Sequence, residues 1–265
     1  MLSTTSLGPI IRLHMARRVL GRSLRTVDAY LVDGLLIDSG PPATASEIVE
    51  WCRQREVRQV VNTHHHEDHA GGNWLLHTSL GVPIGAPAGS LAVLEESPRL
   101  EFYRRLVWGQ PKGVAAEPLT DYVATGGHRF AVIPTPGHCP DHVCFFEGAE
   151  GWLFSGDLFI HEQARYLRSD EDAHQILASL ERVLALRPRL LMCSHAGFVE
   201  DGHRAVERKI AYWGYVLEEA RVLRQRGWSV EQITKEVLGS EGLATRISGG
   251  RFSKRNLVAS LLKGA

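Results

Sequence analysis

No apolar run in this chain approaches the ~20 residues of a membrane span, which argues against membrane-crossing helices. Charge of one sign is equally missing. Lys+Arg and Asp+Glu stand at 30 each, so no overall field draws the chain to nucleic acid or to a membrane surface. Cysteine is scarce: Cys52, Cys139, Cys144 and Cys193 are widely spaced and form no CxxC pair. A disulfide framework is therefore not expected, and a reduced, cytoplasmic protein is. Residues 1–18 do not run through a charged start, an apolar core and a small-residue cleavage site, so no signal peptide is expected. Internal repeats and low-complexity tracts are also absent. At 265 residues, the chain suits one large domain, or one domain with a small appendage. What is plentiful is histidine, 13 residues in all, and their placement carries the argument.

The apolar pattern alternates between strands and helices. Residues 29–32 and 35–37 flank Asp33-Gly34, a two-residue hairpin signal. Ser46 is a candidate cap for a helix burying Ile48, Val49, Trp51 and Cys52. Val60-Val61 reads as a short buried strand leading into Thr63, and Gly71-Gly72-Asn73 opens the next helix. Further on, residues 130–133 form a strand that ends at Thr135-Pro136-Gly137-His138. Residues 144–146 and 152–154 form a hairpin that empties into Ser155-Gly156-Asp157. Ile176, Leu177, Leu180, Val183 and Leu184 follow the helical period, and residues 190–192 form a strand leading to His195. Each polar group thus lies just past the C-terminal end of a strand, where distant parts of the chain can meet on one rim.

The chain changes character near residue 205. Val206, Ile210, Trp213, Leu217 and Ala220 mark an amphipathic helix stopped by Gly227. Ser229 with Gln232 is a capping box for a helix closed by Gly239, and a last helix is expected over 254–262. We therefore divide the chain into a domain over 1–205 and a helical appendage over 206–265. Residues 84–119, punctuated by Pro and Gly, read as a lid or an insertion.

His64-x-His66-x-Asp68-His69 sets imidazoles and a carboxylate at alternating positions, with a further imidazole adjacent. In an extended segment, His64, His66 and Asp68 point to one side, and His69 reaches a neighbouring position as the chain turns. Borderline cations such as Zn²⁺ favour these donors. The loop cannot complete two metal sites alone, and His138, Asp157 and His195 are the distant partners on offer. A lone histidine at a strand end is ordinarily a hydrogen-bonded surface residue. Chance is a poor account of a four-ligand cluster joined by three more ligand-type residues, each after an apolar strand and beside Gly.

The strings THHHEDHAGGN (63–73), TPGHCPDHV (135–143), SGDLF (155–159) and SHAG (194–197) resemble, in order and spacing, the motifs of the metallo-β-lactamase-fold superfamily. The resemblance covers roughly residues 10–200, and the pattern is nearest to the hydroxyacylglutathione hydrolase (glyoxalase II)-like branch. It implies an α+β fold, a four-layer αββα sandwich with the site at one edge between the sheets. It also implies a first metal on His64, His66 and His138, a second on Asp68, His69 and His195, and Asp157 bridging them. Two divalent ions, Zn²⁺ first with Fe or Mn as alternatives, would share a hydroxide that attacks a thioester, ester or lactone. Asp68 would orient that hydroxide and move its proton. β-Lactam-cleaving members generally lack the bridging Asp, but the glutathione-binding Lys and Arg pattern has no clear match here, so a β-lactam-cleaving enzyme is an alternative reading.

Other residues carry weaker expectations. Trp108, His161, Arg165 and Tyr166 are candidate contacts to a small-molecule substrate. His65 and Glu67 alternate away from the ligands, and His142 is expected behind one of them. Arg246, Arg251, Lys254 and Arg255 are the basis of a competing two-metal nuclease reading, though a solvated helix start explains them more simply. A mono-iron persulfide dioxygenase is a third reading. No membrane or nucleic-acid partner is expected, and the oligomeric state is not encoded legibly.

Overall fold

Asp33 and Gly34 both take the left-handed backbone, with φ of 45° and 76°. They reverse the chain between Arg22–Val32 and Leu35–Ile37, a turn whose twist matches that of the paired strands. This hairpin lies within the first sheet of the computed structural model, which describes residues 1–19 and 22–263. The sheet is 7-stranded, and its spatial order follows the chain: β1 (Leu2–Leu7), β2 (Ile10–Val19), β3 (Arg22–Val32), β4 (Leu35–Ile37), β5 (Gln59–Val61), β6 (Ile84–Ala86) and β7 (Glu117–Pro118). β1 to β4 pair antiparallel, and β4 to β7 pair parallel. β1 and β2 go unmarked in the sequence pattern because β1 is exposed along most of its length and β2 interleaves Arg12, His14 and Arg17 with its apolar residues.

The second sheet is 6-stranded. It contains β8 (Tyr122–Ala124), β9 (Arg129–Pro134), β10 (Val143–Glu147) and β11 (Trp152–Gly156). β12 (Leu167–Arg168) lies apart from it, while β13 (Leu190–Cys193) and β14 (Gly197–Glu200) complete it beside β11. β15 (Phe252–Ser253) pairs with β12 in a separate ribbon. Between the sheets, Tyr30 and Ile37 meet Phe130, Phe145 and Phe154, all buried. Full burial of a large apolar side chain contributes about 2 kcal/mol, so this layer locks the two sheets face to face.

Helices cover both outer faces. On the first sheet lie α1 (Ala45–Arg53), α2 (Glu67–Ala70), α3 (Asn73–Leu80), α4 (Leu91–Glu96) and α5 (Phe102–Trp108). Ile48, Leu76 and Trp108 pack there against Leu13, Met15 and Leu36. The helix expected to be capped by Ser46 instead begins at Ala45, with Thr44 at its N-terminus, and Ser46 sits inside it. The second sheet is covered by α6 (Ala173–Leu184), α7 (Gly202–Gln225), α8 (Val230–Leu238) and, after α9 (Leu243–Ile247), which has no buried residue and lies beside β15, by α10 (Lys254–Leu261). Leu153 and Leu191 of that sheet share one core with Leu180, Trp213, Ile233 and Leu257. The result is a four-layer αββα sandwich. α7 starts ahead of residue 206, and Ala205 and Val206 are both fully buried in this core. The capping box of α8 forms as expected, with Ser229 and Gln232 each bonding the other's backbone. Among the described residues, no helix is long and apolar enough to cross a membrane.

Candidate metal centre

The histidine-rich loop turns rather than extends. His66 is the N-cap of α2, and Asp68 and His69 fall in that helix's first turn. Period-2 alternation therefore ends at His66, and the helical turn swings Asp68 and His69 to a second location. Asp38, at the end of β4 with φ of 63°, anchors the loop. Its buried carboxylate accepts from Thr63 N at 2.8 Å and Thr63 Oγ1 at 2.9 Å, and stands 2.8 Å from His69 Nδ1. In the sequence Asp38 is legible only as the residue that breaks a strand.

Three imidazoles converge first. His66 Nδ1 lies 2.9 Å from His64 Nε2 and 2.9 Å from His138 Nε2. Their outer nitrogens are held from behind: His64 Nδ1 is 3.0 Å from Thr63 Oγ1, and His138 Nδ1 is 2.5 Å from Glu171 Oε1. Arg168 Nη1 stands 3.2 Å from His66 Nε2. Burial, followed by the neighbouring imidazoles, holds His64 and His66 well below the usual histidine range. They are thus neutral, the form that can donate a lone pair to a cation.

A second group lies beside the first. His69 Nε2 and His195 Nε2 are each 3.3 Å from Asp157 Oδ1, and 3.9 Å and 3.8 Å from Asp68 Oδ2. His195 Nδ1 donates to the carbonyl of Thr26 at 2.8 Å. The other oxygen of Asp157, Oδ2, is 3.4 Å from His138 Nε2, so one carboxylate faces both groups. Burial alone lowers His69 and His195, but the charge of Asp157 and its acidic neighbours outweighs it and raises both. Asp157 is lowered in turn: burial raises it, and His195, His69 and His138 together prevail.

The donor set can be tested for a cation. His69 Nε2 and Asp157 Oδ1 are buried and 3.3 Å apart, yet neither makes a hydrogen bond. Buried polar atoms without partners are costly, and imidazole nitrogens with carboxylate oxygens aimed at a common point are what a borderline divalent ion takes. His64, His66 and His138, with Cys139, form one ligand-distance group, Asp68, His69 and His195 form another, and His64, His69 and Asp157 form a third that joins them. The residues fit such ions.

The surrounding residues sort clearly. His142 Nε2 accepts from Asp157 N at 3.1 Å, and its Nδ1 is 2.8 Å from Thr135 Oγ1. Burial first, then His138, lowers it to about 3. Gly156, with φ of 48°, is required here because a Cβ would lie 2.7 Å from His142 Nε2 and 2.9 Å from Thr63 Oγ1. His65 bonds Asp141, and Glu67 is buried in a two-pronged pair with Arg104 of α5. Trp108, at the end of α5, is 7% exposed and packs in the apolar core with Ile48, Leu76 and Val114. His161 and Arg165 are exposed on the loop after Asp157, and Tyr166 stacks on Phe252 at 5.2 Å. Arg168, Glu171 and Asp38 were missed by sequence reading because none lies within a recognisable motif. Of the basic residues near the C-terminus, Arg251 pairs with Glu101 and Arg255 with Glu231, while Lys254 Nζ is spent on the carbonyls of Leu238 and Ser240.

Comparison with known proteins gives one family match: the metallo-beta-lactamase superfamily, over residues 22–195. A hydroxyacylglutathione hydrolase of Thiobacillus denitrificans is 33% identical over 157 residues, 59% of this chain and 54% of that protein. One of Idiomarina loihiensis is 30% identical over 199 residues, covering 73% and 68%. The chain spans little more than half the length of the first of these relatives. Among solved structures, a beta-lactamase domain protein from Burkholderia ambifaria superposes with a TM-score of 0.74 at 20% identity, covering 98% of this chain and 87% of that one. At that identity the likeness speaks for the fold alone.

Proposed function

This chain belongs to the metallo-beta-lactamase superfamily, and from that premise we propose that it is a dinuclear metal-dependent hydrolase acting on a thioester, ester or lactone. The observation that carries the reading is Asp157, whose Oδ1 faces His69 and His195 at 3.3 Å and whose Oδ2 faces His138 at 3.4 Å. His64, His66 and His138 would hold one divalent ion, Asp68, His69 and His195 a second, and Asp157 both. When bound, such ions, Zn²⁺ by donor chemistry, supply a reactive water at neutral pH and polarise the oxygen of the scissile group.

The chain's own residues do the rest. Asp68 turns Oδ2 toward His69 and His195, so its other carboxylate oxygen would accept the proton of the attacking water and return it to the leaving group. Thr63, Glu171 and the Thr26 carbonyl hold the imidazoles so that their inward nitrogens keep one orientation. His161, Arg165 and Tyr166, on the loop after Asp157, would contact the substrate. Arg168, beside His66 and paired with Asp170, would join them. The thioester preference draws support from the relatives named hydroxyacylglutathione hydrolase. With Arg251 and Arg255 paired to acids and Lys254 facing inward, a phosphate track for nucleic acid has little support. The cysteines, all free and buried, favour a cytoplasmic setting.

The test is a hydrolysis panel of thioesters, esters, lactones, β-lactams and phosphodiesters, run with metal content measured on the same sample. Thioester, ester or lactone turnover with two ions per chain supports the proposal. One iron per chain with no hydrolysis of any substrate overturns it.

A further inference from the structure

Lys209 of α7 is 2% exposed, and its ammonium has no carboxylate within ion-pairing distance among the described residues. Its Nζ donates instead to two main-chain carbonyls, Leu158 at 2.9 Å and Phe159 at 2.6 Å, and lies 4.9 Å from the centre of the Trp213 ring. Both carbonyls belong to the residues directly after Asp157. The next residue, Ile160, has φ of 56°, a left-handed backbone that a β-branched side chain strongly disfavours. The Phe159 carbonyl also accepts from His161 N at 2.6 Å, so the turn closes around the oxygen that Lys209 grips. A buried ammonium is costly unless its donors are used. An apolar side chain in its place would fill the same volume without that cost. The expense falls on one short turn, and that turn carries the shared carboxylate.

We propose that Lys209 is a positioning residue for the metal centre: through the Leu158 and Phe159 carbonyls it holds the strained turn that sets Asp157 between the two ligand groups. Nothing in its sequence context marks it, because it belongs to no motif and the carbonyls it grips lie 51 and 50 residues earlier in the chain. It makes α7 a working part of the site as well as a cover for the second sheet. The inference rests on the reading of Asp157 as a ligand to both ions.

The test uses the full chain loaded with Zn²⁺, in wild type, Lys209→Met, Asp157→Asn and the double variant. Ion affinities are read by chelator competition, and the thermal midpoint of the metal-free protein is recorded beside them. Loss of a group that orients a ligand costs 10–100-fold in metal affinity, so Lys209→Met should weaken at least one ion by roughly 10-fold. The metal-free midpoint should hold or rise, since a buried charge is gone. The two substitutions should be non-additive, because Lys209 acts through Asp157. Unchanged affinities with a lowered midpoint would reduce Lys209 to a structural role and overturn the proposal, as would strict additivity with Asp157→Asn. If Asp157→Asn itself leaves both ions bound at wild-type strength, it is the dinuclear reading that fails. Should Lys209→Met not fold, Lys209→Gln, whose amide still donates to one carbonyl, carries the same comparison.

Discussion

Asp157 is where the charge of this centre is balanced, and the smallest change there is the most informative. Asp157→Asn keeps the shape and removes the charge that faces His69, His195 and His138. Hydrolytic activity should fall by on the order of 10²-fold, a few kcal/mol of transition-state stabilisation. Wild-type turnover with full metal content would remove Asp157 from the ligand set. Asp141 makes a different kind of contact, tying segments together. Its carboxylate accepts from His65 N at 3.1 Å and from Ser90 Oγ at 2.5 Å, and stands 2.8 Å from His65 Nδ1. Burial raises this group, but the hydrogen bond and charge of His65, with Ser90, outweigh it and hold the folded carboxyl well below the usual carboxylate range. A carboxyl depressed by folding contributes stability above its unfolded value, and that stability is lost as pH falls through the folded one. Denaturant titrations should therefore show wild type losing stability below about pH 4. Asp141→Asn should be less stable at pH 7, and its curve flatter below pH 4. Parallel curves for the two proteins would show that the carboxylate is not linked to folding.

The elements that carry these residues differ in how firmly the chain specifies them. β5, β11 and β13 are short buried strands with turn residues after them, so the places where ligands emerge are legible locally. α5 is not of that kind. It arises in a segment rich in Pro and Gly, and it is attached to the metal loop by Arg104, which forks the 1%-exposed side chain of Glu67. Burial, then Asp68, raises the Glu67 carboxyl, while Arg104 opposes the rise. Replacing Arg104 by Met leaves a buried carboxylate without its partner, a change on the order of 3 kcal/mol when nothing compensates. Hydrogen exchange should accelerate in α5 and α2 and stay at wild-type rates in α6 and α10. Uniform protection across all four helices would mean that the pair does not hold α5 in place.

For the molecule as a whole, the inward-facing imidazoles and carboxylates predict that metal and stability are linked. An ion present at ~1,000 times its Kd stabilises the folded state by about 4 kcal/mol, and in a chain of this size each kcal/mol moves Tm by roughly 2–4 °C. Chelation should lower the midpoint by on the order of 10 °C, and Zn²⁺ should restore it. An unchanged midpoint would mean that the histidine groups do not bind ions in the folded state. The sequence by itself determined the donor chemistry and its order. Ligand-type residues follow short apolar strands, and strand, turn and cap signals act over a few residues, so they can be read without knowing the fold. It also determined the long helices, whose periodic faces are local. Only the tertiary structure decided that Asp68 and His69 swing away from His64 and His66 on a helical turn. It likewise decided that Asp38 and Glu171 stand behind the imidazoles, and that Trp108 is core. The buried Lys209 under the Asp157 turn belongs with these. Apart from the short α2 turn, which is local, these depend on contacts between segments distant in sequence, set by how two sheets and their helices pack, and no local periodicity records such contacts.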